Sequence, residues 1–440
     1  MNNYGSPVST SSDPVVISGI AVEAPGGIDT PAALWSALAE SRELISPFPR
    51  DRGWPIEDLL SVSELDGWGP VCDAGGFLDD ATKFDPQFFG ITHREALLMH
   101  PQQRVAMRVA WKALENSGIN PGTVEGEFVG CFVGMSPMEY GPRAAVADAY
   151  SGHRIASLGQ LGGAARISHS LGLTGPSISL DTACASSLTA LHLAAMAVAM
   201  DECEWALAGG VCVMGPPGAF YEFARLNALS DDGPCRAYAD DASGTVWGEG
   251  AGMIVVERES RARQRGHPIY GRILAIRTNH NGKGKPILVP RVRAQEQVVR
   301  KTLDVAEIEP TDVGMIEGHG TGTLVGDPVE LLALFKTYGA AGSEALVGSI
   351  KSNMGHPQAA SGILGLIKLL LAGQHGYIPP TLFSDNPTKM LDWDLTGLRL
   401  ATKLHEWPAK DGIRYGATSS FGAGGANAHA IIAMPASSRE

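Results

Sequence analysis

The sequence predicts an α/β fold built in layers, with buried sheets covered by helices. Apolar segments of strand length alternate with segments of helical periodicity along the 440-residue chain. Such alternation is typical of sheets that carry helices on their faces. The length suits two domains or one large unit with an internal pseudo-repeat, and a hydrophobic content of 44% is ordinary for a globular protein.

The predicted strands are apolar runs bounded by glycine, proline or polar turn residues. They comprise residues 15–22, 128–133, 205–211, 252–257, 269–278, 313–317, 345–350, 414–420 and 428–433. A further strand begins at Ser177 and continues directly into a helix. The other predicted helices comprise one that starts at Thr30-Pro31, with a capping threonine, and residues 94–117, 159–171, 293–305 and 361–372. Residues 41–90 and 215–250 are predicted as loops.

The charge balance excludes one broad class of partner. A net charge of −13 argues against a general nucleic-acid-binding protein, which needs a basic face. An acidic partner would require a local basic patch, for which the run Arg261, Arg263 and Arg265 is the candidate. A solvated surface segment is the more common explanation of such a run.

Cysteine usage and the N-terminus bear on the compartment. The six cysteines lack the spacing of a disulfide framework or of a metal site, which predicts reduced thiols and a cytoplasmic protein without a metal. Residues 1–13 are polar and serine-rich, which predicts a flexible tail rather than a signal peptide. No apolar run approaches the roughly 18 residues that span a bilayer, so no membrane association is expected.

One cysteine lies where a strand passes into a helix. Cys184 stands among small residues between the strand that begins at Ser177 and an apolar helix. The partial positive charge of a helix N-terminus favours the thiolate and is expected to lower the thiol pKa from about 8.5. A lowered pKa would make Cys184 a nucleophile at neutral pH. The alternative is a buried cysteine that serves as a small apolar filler.

Two histidines follow short buried strands at the point where each strand ends. His319 is flanked by Gly318 and Gly320, and His356 follows Gly355 in a polar loop. A lone histidine in such a place is usually structural, but two of them together with a candidate thiol indicate an active site. The remaining histidines lack this context, and three are placed in helices: His93, His100 and His192.

Four motifs resemble those of the β-ketoacyl synthases, in the same order and with similar spacing. They are Asp181–Cys184, Glu317–Thr323, Lys351–His356 and Ser420–His429. The resemblance extends over nearly the whole chain from about Pro14. It implies the thiolase-like fold, two similar α/β halves in a five-layer αβαβα sandwich, and a homodimer. Residues 14–265 would form the half with the nucleophile, and residues 266–440 the half with the two histidines.

A closer resemblance is to the ketosynthases of modular polyketide synthases. It rests on the segments Pro25–Gly27, Asp51–Trp54, Pro101–Arg104 and Gly244–Gly250, and on Gly365, where many bacterial fatty-acid synthases of this type carry glutamate. The chain holds no further catalytic domain or carrier segment, so it resembles a stand-alone ketosynthase or one cut from a larger enzyme. A siderophore pathway such as mycobactin assembly is one setting for a discrete enzyme of this kind.

The family resemblance implies a role for each matched residue. Cys184 would carry the acyl chain, and His319 and His356 would donate N–H groups to the extender thioester. Backbone N–H groups of Cys184 and Ala423 would stabilise the oxyanion. Lys351 would orient the site, with a partner that the sequence does not reveal.

The resemblance also implies the partners. The substrates would arrive on the phosphopantetheine arm of an acyl carrier protein, with no cofactor of the enzyme's own. Thr321 and Thr323 would contact that arm, and hydrogen bonds within their loop are the alternative role. Ala423 stands where many relatives have a bulky gating residue. We therefore expect a more open acyl entrance, or gating by Phe421.

Three other functions compete with an elongating ketosynthase. A non-catalytic chain-length-factor subunit would lack the nucleophile. A non-elongating, transacylating ketosynthase usually lacks one of the two histidines, and both His319 and His356 are present. A thiolase would need a second cysteine in the last glycine loop, and no cysteine follows Cys235. Decarboxylative Claisen condensation with a malonyl-type extender is therefore the expected reaction.

Overall fold

The structure is a computed structural model that describes residues 13–141, 147–148, 151–152 and 154–436. Its strands are β1 Val15–Glu23, β2 Val129–Gly134, β3 Ser177–Leu180, β4 Trp205–Cys212, β5 Gly250–Arg258, β6 Gly271–His280, β7 Val313–Glu317, β8 Leu346–Gly348, β9 Tyr377–Ile378, β10 Arg399–Leu400, β11 His405–Glu406, β12 Ile413–Phe421 and β13 Ala426–Pro435. Its α-helices are α1 Pro31–Ala39, α2 Ile56–Ser61, α3 His93–Leu98, α4 Pro101–Ser117, α5 Arg154–Leu158, α6 Gly162–Leu171, α7 Ser186–Ala199, α8 Gly218–Arg225, α9 Glu259–Arg265, α10 Val292–Ala306, α11 Gly326–Thr337, α12 Lys351–Met354, α13 Ser361–His375 and α14 Trp393–Thr396.

The main sheet contains the same strand order twice. The first half runs β3-β2-β4-β5-β1, and the second runs β8-β7-β12-β13-β6, with β10 added at its outer edge. In both halves the two pairings nearest the middle of the sheet are antiparallel and the next two are parallel. A short pairing of β1 with β6 joins the halves. The two halves are therefore similar, as expected.

Helices separate and cover the two halves of the sheet. The central helices α7 and α13 contact each other and strands of both halves. Helices α4 and α6 cover the outer face of the first half, and α10 and α11 cover the second. Three buried apolar clusters match these contacts, one around the central helices and one under each outer layer. The result is the five-layer αβαβα sandwich of the thiolase-like fold.

The division of the chain at residues 265 and 266 stays a prediction. The structure places the change from one repeat to the other between the end of β5 at Arg258 and the start of β6 at Gly271. Of the predicted tail, residues 1–12 lie outside the described residues. Asp13, its last residue, accepts hydrogen bonds from the backbone N–H and the hydroxyl of Ser260.

The continuous helix predicted over residues 94–117 is wrong. The structure has two helices, α3 and α4, separated at Met99 and His100. Pro101 lacks an N–H and biases the preceding residue towards extended backbone, so the helix breaks before it. His100, predicted inside a helix, instead caps α4: its Nδ1 accepts the N–H of Gln102 at 3.1 Å. Leu97, just before the break, is 59% exposed.

The basic run is engaged with carboxylates on the same segment. Arg261 pairs with Glu257 and Arg263 with Glu259, each at 2.5 Å. Arg263 is exposed, as in a solvated surface segment, whereas Arg261 is mostly buried beside Glu257, so neither arginine offers a free basic patch. None of the helices in the described part of the chain combines the length and the apolar character that crossing a membrane requires.

Candidate active site

Cys184 lies on a tight turn between β3 and α7. Asp181 accepts the N–H of Ala183 at 2.7 Å, and Ser186 accepts the N–H of Thr182 at 2.8 Å. Ala183 has a φ of 53°, a left-handed conformation that is uncommon for a residue with a side chain. Such strain persists only where surrounding contacts hold it, and it is frequent at functional sites. The turn therefore fixes Cys184, whose side chain is almost buried.

The last glycine loop packs directly against this turn. The hydroxyl of Ser420 donates to the carbonyl of Cys184 at 2.6 Å. A Cβ on Gly422 would lie 2.3 Å from the carbonyl oxygen of Thr182, so only glycine allows this approach. The backbone N–H groups of Ala423, in this loop, and of Cys184 itself act to lower the pKa of the Cys184 thiol. Both groups named from the resemblance as oxyanion donors therefore lie near the sulfur.

His356 contacts the thiol directly. Its Nε2 lies 3.0 Å from the Sγ of Cys184. Its Nδ1 accepts the backbone N–H of Gln358 at 3.2 Å, so the proton of the neutral ring is on Nε2. His356 therefore acts as a donor toward the sulfur. The indole of Trp247 packs on the other side of the ring, with centroids 5.3 Å apart.

His319 completes a cluster of three with Cys184 and His356. Its ring centroid is 5.3 Å from that of His356 and 5.7 Å from that of Phe421. Its Nδ1 is buried and has no hydrogen-bond partner within the part of the chain that the structure describes. A buried polar atom without a partner is costly, and a substrate atom bound here would satisfy it.

Burial dominates the ionisation of the cluster. It raises the pKa of the Cys184 thiol to about 11, although the charge of Lys351 and the two backbone N–H groups act to lower it. The expectation of a lowered thiol pKa is therefore wrong for the unliganded site, because desolvation outweighs the favourable charges. Burial, and then the charge of Lys351, also hold the pKa of both His319 and His356 well below the usual range. Both imidazoles are neutral at pH 7.

Lys351 has a partner that the sequence did not reveal. Its ammonium donates to the backbone carbonyl of His319 at 2.5 Å. The side chain is buried. Burial lowers its pKa, although the charges of Glu317 and Glu330 act to raise it. Lys351 thus ties the loop that carries His356 to the loop that carries His319.

Gly365, on helix α13, leaves room for a carboxylate from strand β7. A Cβ at residue 365 would lie 3.0 Å from the Cγ of Glu317. Glu317 forms a buried ion pair with Lys368 at 2.7 Å and accepts the N–H of Ile350 at 2.6 Å. The carboxylate beside the site therefore comes from the end of β7. Sequence reasoning did not anticipate this ion pair.

Helix α11, which sequence reasoning missed, holds the His319 loop by its backbone. Glu330 accepts the N–H groups of His319 and Gly320 at 2.7 and 2.8 Å, and Asp327 accepts that of Thr321 at 3.0 Å. Burial raises the pKa of Glu330 to about 7 and that of Asp327 to about 6. Asp327-Pro328 after Gly326 is a helix-start signal that could have revealed α11.

The remaining predicted residues lie on the same two loops. The hydroxyls of Thr321 and Thr323 are 3.0 Å apart, and that of Thr323 also accepts the N–H of Gly326 at 3.1 Å. Phe421 is buried against the His319 ring, whereas the Ala423 side chain is exposed. The threonine contacts agree with a structural role in the loop, and their predicted contact with the arm stays a prediction.

The three side chains of the cluster are also the donor types of a metal site. Atoms of Cys184, His319 and His356 that could ligate an ion lie within 4.8 Å of one another. The hydrogen bond from Gln358 to Nδ1 of His356 argues against this use, since it leaves the proton on the Nε2 that faces the thiol. The nearby charge of Lys351 opposes a cation as well.

Two of the segments quoted for the closer resemblance meet beside the site. Arg52 forms a buried, two-pronged ion pair with Glu249. Glu249 also accepts the backbone N–H groups of Met214 and Leu78, at 2.7 and 3.0 Å. These contacts join the segment after α1 to the glycine-rich segment that precedes β5.

Comparison with known proteins identifies the family. The N-terminal domain of β-ketoacyl synthases matches residues 12–262, and the C-terminal domain matches residues 270–384. The polyketide synthase GfsE of Streptomyces halstedii is 43% identical over 429 residues, and the mycoketide-CoA synthase of Mycobacterium tuberculosis is 42% identical over 426 residues. Each match covers 96% of this chain but only 11% and 10% of the relative, so the chain spans about a tenth of these proteins.

Solved ketosynthase structures have the same fold. The oxazolomycin ketosynthase domain OzmH KS7 of Streptomyces albus aligns with a TM-score of 0.88 at 35% identity, over 97% of this chain and 76% of the other. The ketosynthase from module 6 of the bacillaene synthase of Bacillus subtilis aligns with a TM-score of 0.87 at 34% identity, over 96% and 72%. The chain therefore belongs to the β-ketoacyl synthase family, as a ketosynthase of the polyketide synthase type.

Proposed function

We propose that the protein joins an acyl chain to a malonyl-type extender by decarboxylative Claisen condensation, with both substrates carried by an acyl carrier protein. The observation that carries this proposal is the cluster of one thiol and two neutral imidazoles, in which His356 donates to the sulfur at 3.0 Å. The backbone N–H groups of Cys184 and Ala423 lie near the same sulfur and act to lower its pKa. The site thus combines a nucleophile with donors for a developing oxyanion.

The first half-reaction loads the acyl chain. The Cys184 sulfur attacks the carbonyl carbon of the acyl thioester, and the N–H groups of Cys184 and Ala423 stabilise the oxyanion. The carbon–sulfur bond to the carrier then breaks, and the carrier thiolate leaves with the proton that Cys184 gives up. Because the free thiol has a raised pKa, proton loss and attack are coupled rather than preceded by a stable thiolate.

The second half-reaction forms the carbon–carbon bond. The bond from the extender's α-carbon to its carboxylate breaks, carbon dioxide leaves, and the electron pair forms an enolate. His319 and His356 donate N–H groups to the enolate oxygen, which suits neutral imidazoles held at low pKa. The enolate carbon attacks the acyl carbonyl carbon, the bond to Cys184 breaks, and the released thiolate takes up one proton from water, which is the proton that the net reaction consumes. The product is a β-ketoacyl thioester on the carrier.

The partners belong to the same proposal. The arm of the carrier would enter past Thr321 and Thr323, and the enzyme would need no cofactor of its own. The absence of a bulky side chain at Ala423 would leave the acyl entrance open. We also place the enzyme in the cytoplasm, since all six of its cysteines are free thiols in the described structure.

A homodimer is the proposed assembly. Strand β3 ends the sheet, pairs only with β2 among the described strands, and exposes 41% of Ile178. Nearby apolar side chains are also exposed, Ile155 at 78% and Leu161 at 52%. An exposed edge of this kind is suited to pairing with a second copy. Sedimentation of the wild type against Ile178→Lys tests it, and a monomeric wild type contradicts it.

The experiment for the loading step is intact-protein mass spectrometry. Wild type and Cys184→Ala are incubated with a panel of acyl N-acetylcysteamine thioesters, which mimic the end of the arm. A mass increase equal to the acyl group on the wild type alone supports Cys184 as the residue to which the acyl chain is bound. Acylation of the Cys184→Ala variant, or of neither protein by any thioester, contradicts the assignment.

A further inference from the structure

His280 is an exposed histidine at the end of β6 that the reaction described above does not use. Its Nδ1 accepts the N–H of Gly282 at 3.0 Å, which leaves the proton of the neutral ring on Nε2. Its Nε2 lies 2.9 Å from the carbonyl oxygen of Gly424 and therefore donates to it. His280 thus contacts the same glycine loop that carries Ala423.

The loop converts this contact into a relay of hydrogen bonds. The peptide unit that contains the Gly424 carbonyl also contains the Gly425 N–H, and this N–H donates to the carbonyl of Gly422 at 2.8 Å. The peptide unit of that carbonyl in turn contains the N–H of Ala423, which lies near the Cys184 thiol and acts to lower its pKa. Because each trans peptide is planar, a bond to its carbonyl sets the direction of its N–H.

The hairpin that carries the loop also restrains it, since the N–H of Gly422 donates to the carbonyl of Ala426 at 2.7 Å. Ala423 and Gly424 are exposed, and a Cβ on Gly424 would meet nothing within 4 Å. A Cβ on Gly425 would lie 2.9 Å from Nε2 of His280, so the loop approaches the imidazole closely. Asn281 supports the contact, since its N–H donates to the carbonyl of Gly425 at 2.8 Å. Hydrogen bonds in such a chain also polarise one another, which strengthens the last donor.

We propose that His280 is a positioning residue for the reaction: through two peptide units it orients and polarises the Ala423 N–H toward the oxyanion that forms on the acyl group of Cys184. This inference rests on the proposed function. Loss of an oxyanion donor costs about a hundred- to a thousand-fold in rate. Removal of the support behind a donor that remains is therefore expected to cost about tenfold.

The test compares two reactions of the same thiol. Acylation of Cys184 by hexanoyl-N-acetylcysteamine forms an oxyanion, whereas its alkylation by iodoacetamide does not. His280→Phe, which cannot donate, should slow acylation about tenfold and change alkylation by less than about twofold. His280→Gln, whose amide can donate, should recover most of the acylation rate. Lys283→Ala, a change of an exposed side chain in the adjoining loop, is the control and should react as the wild type does.

Two results would overturn the proposal. One is acylation by His280→Phe within about twofold of the wild type. The other is an equal loss of acylation and alkylation in both His280 variants, which would indicate a merely structural role. If either variant fails to fold, the other still distinguishes an effect on the acylation rate from an effect on the alkylation rate. A wild type that is alkylated but never acylated would instead reject the proposed function.

Discussion

The ammonium of Lys351 lies 2.5 Å from the carbonyl oxygen of His319, so one buried cation joins the loop that carries His319 to the loop that carries His356. Its charge lowers the pKa of His319, His356 and Cys184 alike. It acts on the site through backbone position and charge rather than by proton transfer, because it already donates to a carbonyl.

Replacement of Lys351 by methionine should therefore reduce condensation while the fold persists. The His319 carbonyl loses its donor, and displacement of a catalytic group by about 1 Å costs on the order of a hundredfold in rate. Steady-state formation of the β-ketoacyl product measures the loss. Lys283→Met, at an exposed position, is the matched control. Wild-type turnover by Lys351→Met would show that the contact does not position the site.

The ion pair of Glu317 and Lys368 makes a prediction about stability. Both side chains are fully buried at a separation of 2.7 Å. Loss of one partner leaves an uncompensated buried charge, so Glu317→Gln should lower the free energy of unfolding by about 3–5 kcal/mol. The double variant Glu317→Gln/Lys368→Met removes both charges and should recover a large part of that loss. Urea unfolding of the three proteins checks this, and equal stability of Glu317→Gln and wild type would be incompatible with it.

The raised pKa of Cys184 predicts how its reactivity depends on pH. Since the thiolate is the reactive species and burial raises the pKa to about 11, alkylation by iodoacetamide should rise about tenfold for each pH unit between pH 7 and 9. Peptide-level mass spectrometry separates Cys184 from the other thiols. A rate that levels off below pH 8 would mean that the charges around the sulfur outweigh its desolvation.

Glu330 makes the stability depend on pH. Burial raises its pKa from 4.5 to about 7, so the protonated form favours the folded state. The unfolded chain loses this proton first as the pH rises from about 4.5, and the stabilisation is lost through pH 7. The unfolding free energy of wild type relative to Glu330→Gln should therefore fall by about 3 kcal/mol across that range.

Denaturant titrations of the two proteins at pH 5 and pH 7.5 measure this difference. The non-titrating glutamine variant serves as the reference, which removes the contribution of every other group. If the unfolding free energy of wild type relative to Glu330→Gln instead grows between pH 5 and pH 7.5, hydrogen bonds from the backbone keep Glu330 ionised at both pH values.

Local patterns together with the family resemblance were sufficient to predict the architecture and the cluster of Cys184, His319 and His356. Strand-like segments lead into a turn of small residues at Cys184 and into glycine-containing loops at His319 and His356, and such local patterns can be recognised in a sequence. The helix break before Pro101 is a local pattern as well, since proline disfavours helical backbone at the residue before it.

The remaining features depend on packing between distant segments. Glu317 pairs with Lys368, and Glu330 accepts the backbone N–H of His319. Only the fold brings these residues together. The pKa of Cys184 depends on how deeply the turn is buried, and neither quantity is encoded in a motif. The helix dipole could be anticipated from the sequence, but the desolvation that outweighs it could not.

The most direct test of the proposed condensation compares the amount of β-ketoacyl product formed with the amount of carbon dioxide released. Hexanoyl-loaded wild type is mixed with malonyl-N-acetylcysteamine labelled with ¹³C in the free carboxylate, and both products are quantified. We predict one molecule of labelled carbon dioxide for each β-ketooctanoyl thioester formed. Both products should be strongly reduced in His319→Ala and His356→Ala. Labelled carbon dioxide without the β-keto product, or return of the hexanoyl group unextended, would contradict it.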